Sequence, residues 1–471
     1  TTTGAQTYSD AVVLAGPVTI NGSVATFASS ITGGAGTSLA ITAPGGIRLA
    51  GNISTAGGQT YNNEITLTGN VTMTSSAAGI TFVKKVLSQA NQAYSLTVNA
   101  STLVNINDSV GIAVTTTDGT LPTTYALRDF LVTAANIHIL ADVLTRRNQQ
   151  YSGAVSIGDN GVQGALYSYY MSLLTSVDST KKAPVVVDPI YVRTLISIDP
   201  SIVFTGTVDD IEKNKHSLYT AAITHLAPND AGFVTPQISF AKEIGKTTPL
   251  YSVNFLTLQN TNASAYVGTI TLHGEVNTFM DQDYRSKTMT ADPITPLNTM
   301  IFTVEDINAK ISFDLYKNVD TGVYSLTNTD GGAVLTLNGP TTYNGLKAVP
   351  TFPTGSWASV VQGMSLAALA ASRMGGPAEP GKPTETKAPV MNQVTPPFMP
   401  VLMPITRQAV DAGATMATML NNVNFEVAKV GVDSKVSVSM GGPSKPSDSD
   451  EFGRDERLDR KVDPENDYLE N

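Results

Sequence analysis

A short block built around Gln and Tyr recurs along this chain, and strand-like alternation follows each recurrence. Gly4-Ala5-Gln6-Thr7-Tyr8 runs into Ser-Asp-Ala-Val-Val-Leu, and Gly57-Gly58-Gln59-Thr60-Tyr61 into Asn-Asn-Glu-Ile-Thr-Leu. Asn91-Gln92-Ala93-Tyr94 runs into Ser-Leu-Thr-Val, and Asn148-Gln149-Gln150-Tyr151 into Ser-Gly-Ala-Val-Ser-Ile. Ile47-Arg48-Leu49 precedes Tyr61 at the offset at which Ile137-His138-Ile139 precedes Tyr151, since 61 − 47 and 151 − 137 are both 14. A degenerate pattern kept in register over that span marks an array in which one unit stacks on the next.

The texture within each unit is that of a strand. Val18-Thr19-Ile20, Ile65-Thr66-Leu67, Val71-Thr72-Met73 and Ile80-Thr81-Phe82 alternate apolar residues with Thr, and β-branched residues dominate. Asn21-Gly22, Gly33-Gly34, Gly45-Gly46, Gly51-Asn52 and Gly69-Asn70 bound these runs and suit tight corners. The pattern predicts an all-β fold, a right-handed parallel β-helix or solenoid, with a β-sandwich array as the alternative. In such a stack like charges repel from coil to coil, whereas Thr and Asn ladders do not. The composition agrees: only 14% of the 471 residues are charged, and the net charge is −10. The acidic balance argues against nucleic acid as a partner. The absence of Cys excludes disulfides, thiolate metal sites and a Cys nucleophile.

Gly57-Gly58-Gln59-Thr60-Tyr61-Asn62, the following Glu64-Ile65-Thr66-Leu67, and Gly69-Asn70-Val71-Thr72-Met73 resemble the repeat of filamentous-haemagglutinin-like proteins. Thr194-Leu195-Ile196-Ser197-Ile198-Asp199-Pro200 with the run from Val203 to Asp210, and Gly245-Lys246-Thr247-Thr248-Pro249-Leu250, are similar to further blocks of that family. The resemblance implies a secreted β-helical surface protein of Gram-negative bacteria, exported by the two-partner route, of which this chain is a C-terminal portion. It also implies a bacterial cell-surface, outer-membrane-associated location. The implied partners are other surface-protein subunits or an outer-membrane export or anchor protein.

The predicted organisation starts with solenoid repeats over 1–164 and a bulky insertion or short helix over 165–184. A β-rich region follows over 185–350, either continued solenoid or a sandwich. An apolar capping helix spans 351–376, and its 355–374 stretch offers a membrane contact. Beyond lie a Pro-rich linker over 377–404, a helix plus short strand over 405–440, and an acidic disordered tail over 441–471.

Chemistry is sparse. His138, His216, His225 and His273 are scattered, without the helical spacing of a metal site. Ser179-Thr180-Lys181-Lys182 fits an S-x-x-K pattern without its companion motifs. Gly245-Lys246-Thr247 lacks the upstream Gly of a phosphate loop, because Phe240 stands there. Gly158-Asp159-Asn160-Gly161 and Asp281-Gln282-Asp283 carry oxygens suited to calcium but not the spacing of a calcium loop, so turns are expected. No catalytic, cofactor-binding or metal-binding residue is therefore assigned, and no cofactor is expected. The residues singled out are structural: Tyr8, Tyr61 and Tyr151 as repeat anchors, Gly58 and Gly69 as corners. The expected function is a non-enzymatic, adhesin-like rod that attaches cells to surfaces, to each other or to matrix, with carbohydrate among its candidate ligands. The alternatives are a self-assembling filament or sheath subunit, and a polysaccharide-active β-helix enzyme.

Overall fold

The computed structural model describes residues 2–114, 121–177, 188–226, 230–259, 265–293, 299–315, 326–327, 334–343 and 359–363. All lie in the first of two compact units, Thr1–Pro377, the second being Ala378–Asn471. The predicted regions 377–404, 405–440 and 441–471, and all but 359–363 of the predicted capping helix, lie outside the described residues.

Strands come in threes and pair in parallel with the strand of the same rank in the next coil; the two-residue strand Ala265–Tyr266, antiparallel to Val253–Gln259, stands outside this pattern. The first ladder runs through Gln6–Tyr8, Ala25–Phe27, Ile47–Leu49, Ile65–Leu67 and Val86–Ser88. Val110 bridges Val86 to Val143 and carries the ladder on through Val143–Thr145, Val192–Ile198, Ser217–Thr224, Val253–Gln259, Gln282–Ser286, Ile311–Leu315 and Thr341–Tyr343. The second ladder starts at Val12–Leu14 and Ile31–Gly33, the third at Val18–Asn21 and Leu39–Thr42. Phe130–Ile139 and Gln149–Ile157 run around the corner between the second and third ladders and fuse them into one 18-stranded sheet. The result is an all-β, solenoid-like stack of parallel strands.

The register explains the alternation. Ile41, Tyr61, Phe82, Ile106, Ile139 and Ile157 stack inward along the third ladder and are buried. Between them the outward positions form a column of Thr19, Ala40, Thr60, Thr81, Asn105, His138 and Ser156. On the second ladder Thr32, Ser54, Thr74, Asn99, Thr133 and Ser152 stack in the same way. With strands about 4.8 Å apart, a charge repeated along such a column would face its copies with little water between them.

The coil after Ile157 carries an insertion. Gln149 pairs with Ile202, whereas early coils step from Ile47 to Ile65. The insertion holds the helix Tyr167–Val177, within the predicted 165–184. Leu166, Tyr169, Tyr170, Leu173 and Leu174 recur at helical spacing and form one apolar stripe. That stripe covers the outer side of the first ladder at Val192, Ile196, Tyr219, Ala221 and Leu256. Burial on both sides explains why Val192–Ile198, Ser217–Thr224 and Val253–Gln259 lose their alternation. The strands of 185–350 continue the same parallel ladders.

Several sequence expectations are corrected. The Gln-Tyr blocks do not occupy one face: Tyr8 stands on the first ladder, Tyr61 on the third and Tyr151 on the second. The three faces accept the same short alternating strand, so pattern alone does not distinguish them. Asn91-Gln92-Ala93-Tyr94 forms a turn, with Asn91 at φ 60°, and the next strand starts at Leu96. Within the predicted capping helix, Ser359–Gly363 is a strand paired with Val334–Asn338; the β-branched pair Val360-Val361 suits it. Gln282 and Asp283 belong to the strand Gln282–Ser286 rather than to a turn. Among the described residues no helix is long and apolar enough to cross a membrane.

Candidate functional site

The corner between the third and first ladders gathers the polar side chains. In successive coils it contains 83–85, 107–109 and 140–142, and then the start of the insertion. There the chain folds back over the preceding corners. Asn160 Nδ2 donates to Asn107 O at 3.1 Å, and Leu166 N donates to Asp142 Oδ2 at 2.7 Å. A groove of about 420 Å³ lies between, lined by Lys84, Lys85, Asn107, Asp108, Asn160 and Gln163, with Asp142 and Arg193 also in its wall.

Asp142 is buried, and its other oxygen accepts from Thr194 N at 2.8 Å. Burial raises its pKa against the opposing pull of Arg193 and those two N–H groups. Arg193 is fully buried too and is spent on carbonyls: Nε donates to Gly158 O at 2.7 Å, Nη1 to Val192 O at 3.0 Å, and Nη2 to Ile190 O. Lys85 Nζ donates to Ala113 O at 2.5 Å. Lys84 is exposed at the rim and makes no ion pair among the described residues.

A second polar cluster pins the insertion. His216 Nδ1 lies 2.5 Å from Asp210 Oδ1, and Nε2 lies 2.7 Å from Asp159 Oδ2. Asp210 also accepts from the backbone N of Glu212, Lys215 and His216. Lys215 Nζ lies 2.8 Å from Glu212, 3.4 Å from Asp159, and 5.0 Å from the Tyr191 ring centre. Burial alone would raise the Asp159 pKa. Hydrogen bonds from His216 and Gly161 N, with the Lys215 charge, outweigh it and hold the carboxyl below its ordinary range. Both oxygens of Asp159 and of Asp210 have donors, so the knot fastens the insertion to the coil below.

The other candidates are structural. His138 is half-buried on the outward column, and desolvation lowers its pKa. His225 is exposed, and His273 Nδ1 lies 4.0 Å from Asp292. At Gly245-Lys246-Thr247 the N–H groups a phosphate would need are taken: Thr247 and Thr248 both donate to Asp209 Oδ1. Lys246 pairs with Glu243 at 2.7 Å. Asp281 accepts from Lys310 N, and Asp283 pairs with Arg285 at 2.6 Å. Ser179 to Lys182 lie outside the described residues. No group of three or more His, Asp or Glu side chains arranged to hold a metal ion occurs among the described residues.

Tyr8, Tyr61, Tyr151 and Tyr284 share one arrangement. Each hydroxyl donates to the Gln two residues earlier, at 2.7, 2.8, 3.0 and 3.0 Å. Four residues before each Gln stands a Thr whose Oγ1 donates to the carbonyl two residues on: Thr2, Thr55, Thr145 and Thr278. Gln Nε2 reaches around the corner to the preceding face, bonding Asn21 O, Thr74 O, Ile196 O and Thr303 O. This staple, Thr-x-x-x-Gln-x-Tyr, is readable from spacing, and its copy at Thr278, Gln282 and Tyr284 lies among the acidic residues Asp281 and Asp283 rather than in a Gly-rich block. Ser88-x-x-x-Gln92-x-Tyr94 has the spacing without the geometry, because Ser88 Oγ donates to Gln92 O and closes a local turn. Of the two glycine corners, Gly69 is sterically required, since an added Cβ would stand 2.8 Å from Ala50 O. Gly58 has ordinary clearance, and its neighbour Gly57 is the tight position, 2.7 Å from Thr37 O.

No family model, curated protein or solved structure matches this chain.

Proposed function

We propose that the chain is the rod of a non-enzymatic, adhesin-like bacterial surface protein, a right-handed parallel β-helix of the filamentous-haemagglutinin-like kind. The reading includes secretion, an outer-membrane-associated location, and partners among other surface subunits or an export or anchor protein. The observation that supports it best is the pair of outward columns, Thr19 to Ser156 and Thr32 to Ser152, which hold hydroxyls and amides in register with almost no charge. Such a surface repeats one weak hydrogen-bonding motif at each coil, and weak contacts on a stiff scaffold add by avidity. Carbohydrate hydroxyls suit those groups.

Negative-stain imaging of the purified chain, joined to a cell-attachment assay, tests the proposal. Isolated rods that attach to cells support it. Polymers with an axial repeat support the filament or sheath reading instead. Release of reducing ends from an acidic glycan would favour a polysaccharide-active enzyme.

A further inference from the structure

We infer that the groove at the 158–166 corner is a binding site for a carboxylated oligosaccharide. Three observations converge there. Its volume, about 420 Å³, falls in the range of small-molecule sites. Its roof is held in place without a ligand, by Asn160 on Asn107 and by Asp142 on Leu166, so binding orders little additional backbone. Its cations are local: Lys84 and Lys85 both line it, and no other lysine precedes Lys181 in an acidic chain.

The wall chemistry selects the ligand class. No aromatic ring lines the groove, so the ring-face stacking that neutral sugars use is missing. Lys84, which makes no ion pair among the described residues, offers its ammonium at the rim to a carboxylate, a charge-assisted bond of the stronger kind. Asn107 and Gln163 supply amides that both donate and accept, and Asp108 accepts, which matches the hydroxyls of a saccharide. Asp108 Oδ1 already accepts from Ser109 N at 2.7 Å, and a carboxylate in the wall favours hydroxyls over a second carboxylate. As an attachment site the groove rests on the rod reading above, which calls for a surface ligand.

The test is calorimetric titration of the full chain with trigalacturonate, galactotriose and triglutamate. Saturable binding of trigalacturonate is expected, at least about tenfold tighter than either of the others. Lys84→Glu should weaken it by at least about tenfold, and Lys84→Arg should retain it; Lys84 is exposed, so both variants fold. Gln163→Ala, also exposed, should cost a few-fold. Absent saturation, equal binding by Lys84→Glu, or equal affinity for galactotriose or triglutamate would overturn the assignment. Rods that attach to cells equally well with Lys84→Glu would remove the groove and leave the rod reading standing. Trigalacturonate binding without rods would do the reverse.

Discussion

Replacing Tyr61 by Phe keeps its stack on Phe82, centroids 5.7 Å apart, and removes a single hydroxyl. Gln59 Oε1 then loses a donor 2.8 Å away at a site with no exposure, which costs about 1–2 kcal/mol. Gln59→Leu is worse, because it orphans the Tyr61 hydroxyl and also removes the Nε2 bonds to Thr74 O and Thr55 Oγ1, at about 2–4 kcal/mol. In the double variant the hydroxyl and its acceptor vanish together. The combined cost should fall short of the sum by about 2–4 kcal/mol, because each single variant leaves one orphan group, about 1–2 kcal/mol apiece, and neither is present in the double variant. Urea unfolding followed by circular dichroism gives the global figure. Solenoids unfold coil by coil, so exchange of the Gln59 and Val83 amides, which bond Gly79 O and Tyr61 O, supplies the local one. The same cycle at Gln149 and Tyr151, on a different face, should give the same coupling. Additivity within about 0.3 kcal/mol at both sites would show that the staple is packing alone and refute the hydrogen-bonding account.

Other outcomes follow from the same geometry. Gly57→Ala should destabilise by about 1–3 kcal/mol and Gly58→Ala by less than about 1 kcal/mol, read from thermal melts, since only the first Cβ meets a carbonyl at 2.7 Å. Leu173→Ala, on the buried stripe of the helix, should cost about 2–4 kcal/mol and speed proteolysis within the insertion. Asp159 has a lowered pKa, so its contribution is present above its unfolded value near 4 and is lost as pH falls through the lower folded value. Asp159→Asn should therefore flatten the acid limb of a stability-against-pH curve, and an unchanged limb would place the pH dependence elsewhere. Deleting 47–64 joins positions in register, because Ile65 pairs with Ile47 as Ile47 pairs with Ala25. The shortened chain should fold with a modest drop in Tm, whereas deleting only 47–55 should give aggregated protein.

The stacking was legible because period-two alternation leaves little choice of secondary structure, and the uncharged surface follows from it. Which face a strand joins was not legible, because Ile47-Arg48-Leu49 and Ile137-His138-Ile139 read alike and yet lie on the first and third ladders. His216 looked solitary because its partners are six and 57 residues away, brought close only by the insertion folding back. The groove was hidden for the same reason: Lys84, Asn107, Asp142 and Asn160 share a corner through coil stacking, which no local window displays. The bulky texture of 165–184 pointed to an insertion or a short helix, but not to the sheet surface that the helix covers.

The insertion after Ile157 leaves the strands on either side in step, since Val155 to Ile157 still meet Val208 to Asp210. A corner of this stack thus acts as a splice point: chain can be looped out there, of any length, and the coils below and above close up beneath it. New surfaces can accordingly be acquired one bend at a time, on a trunk that never has to be refolded to carry them.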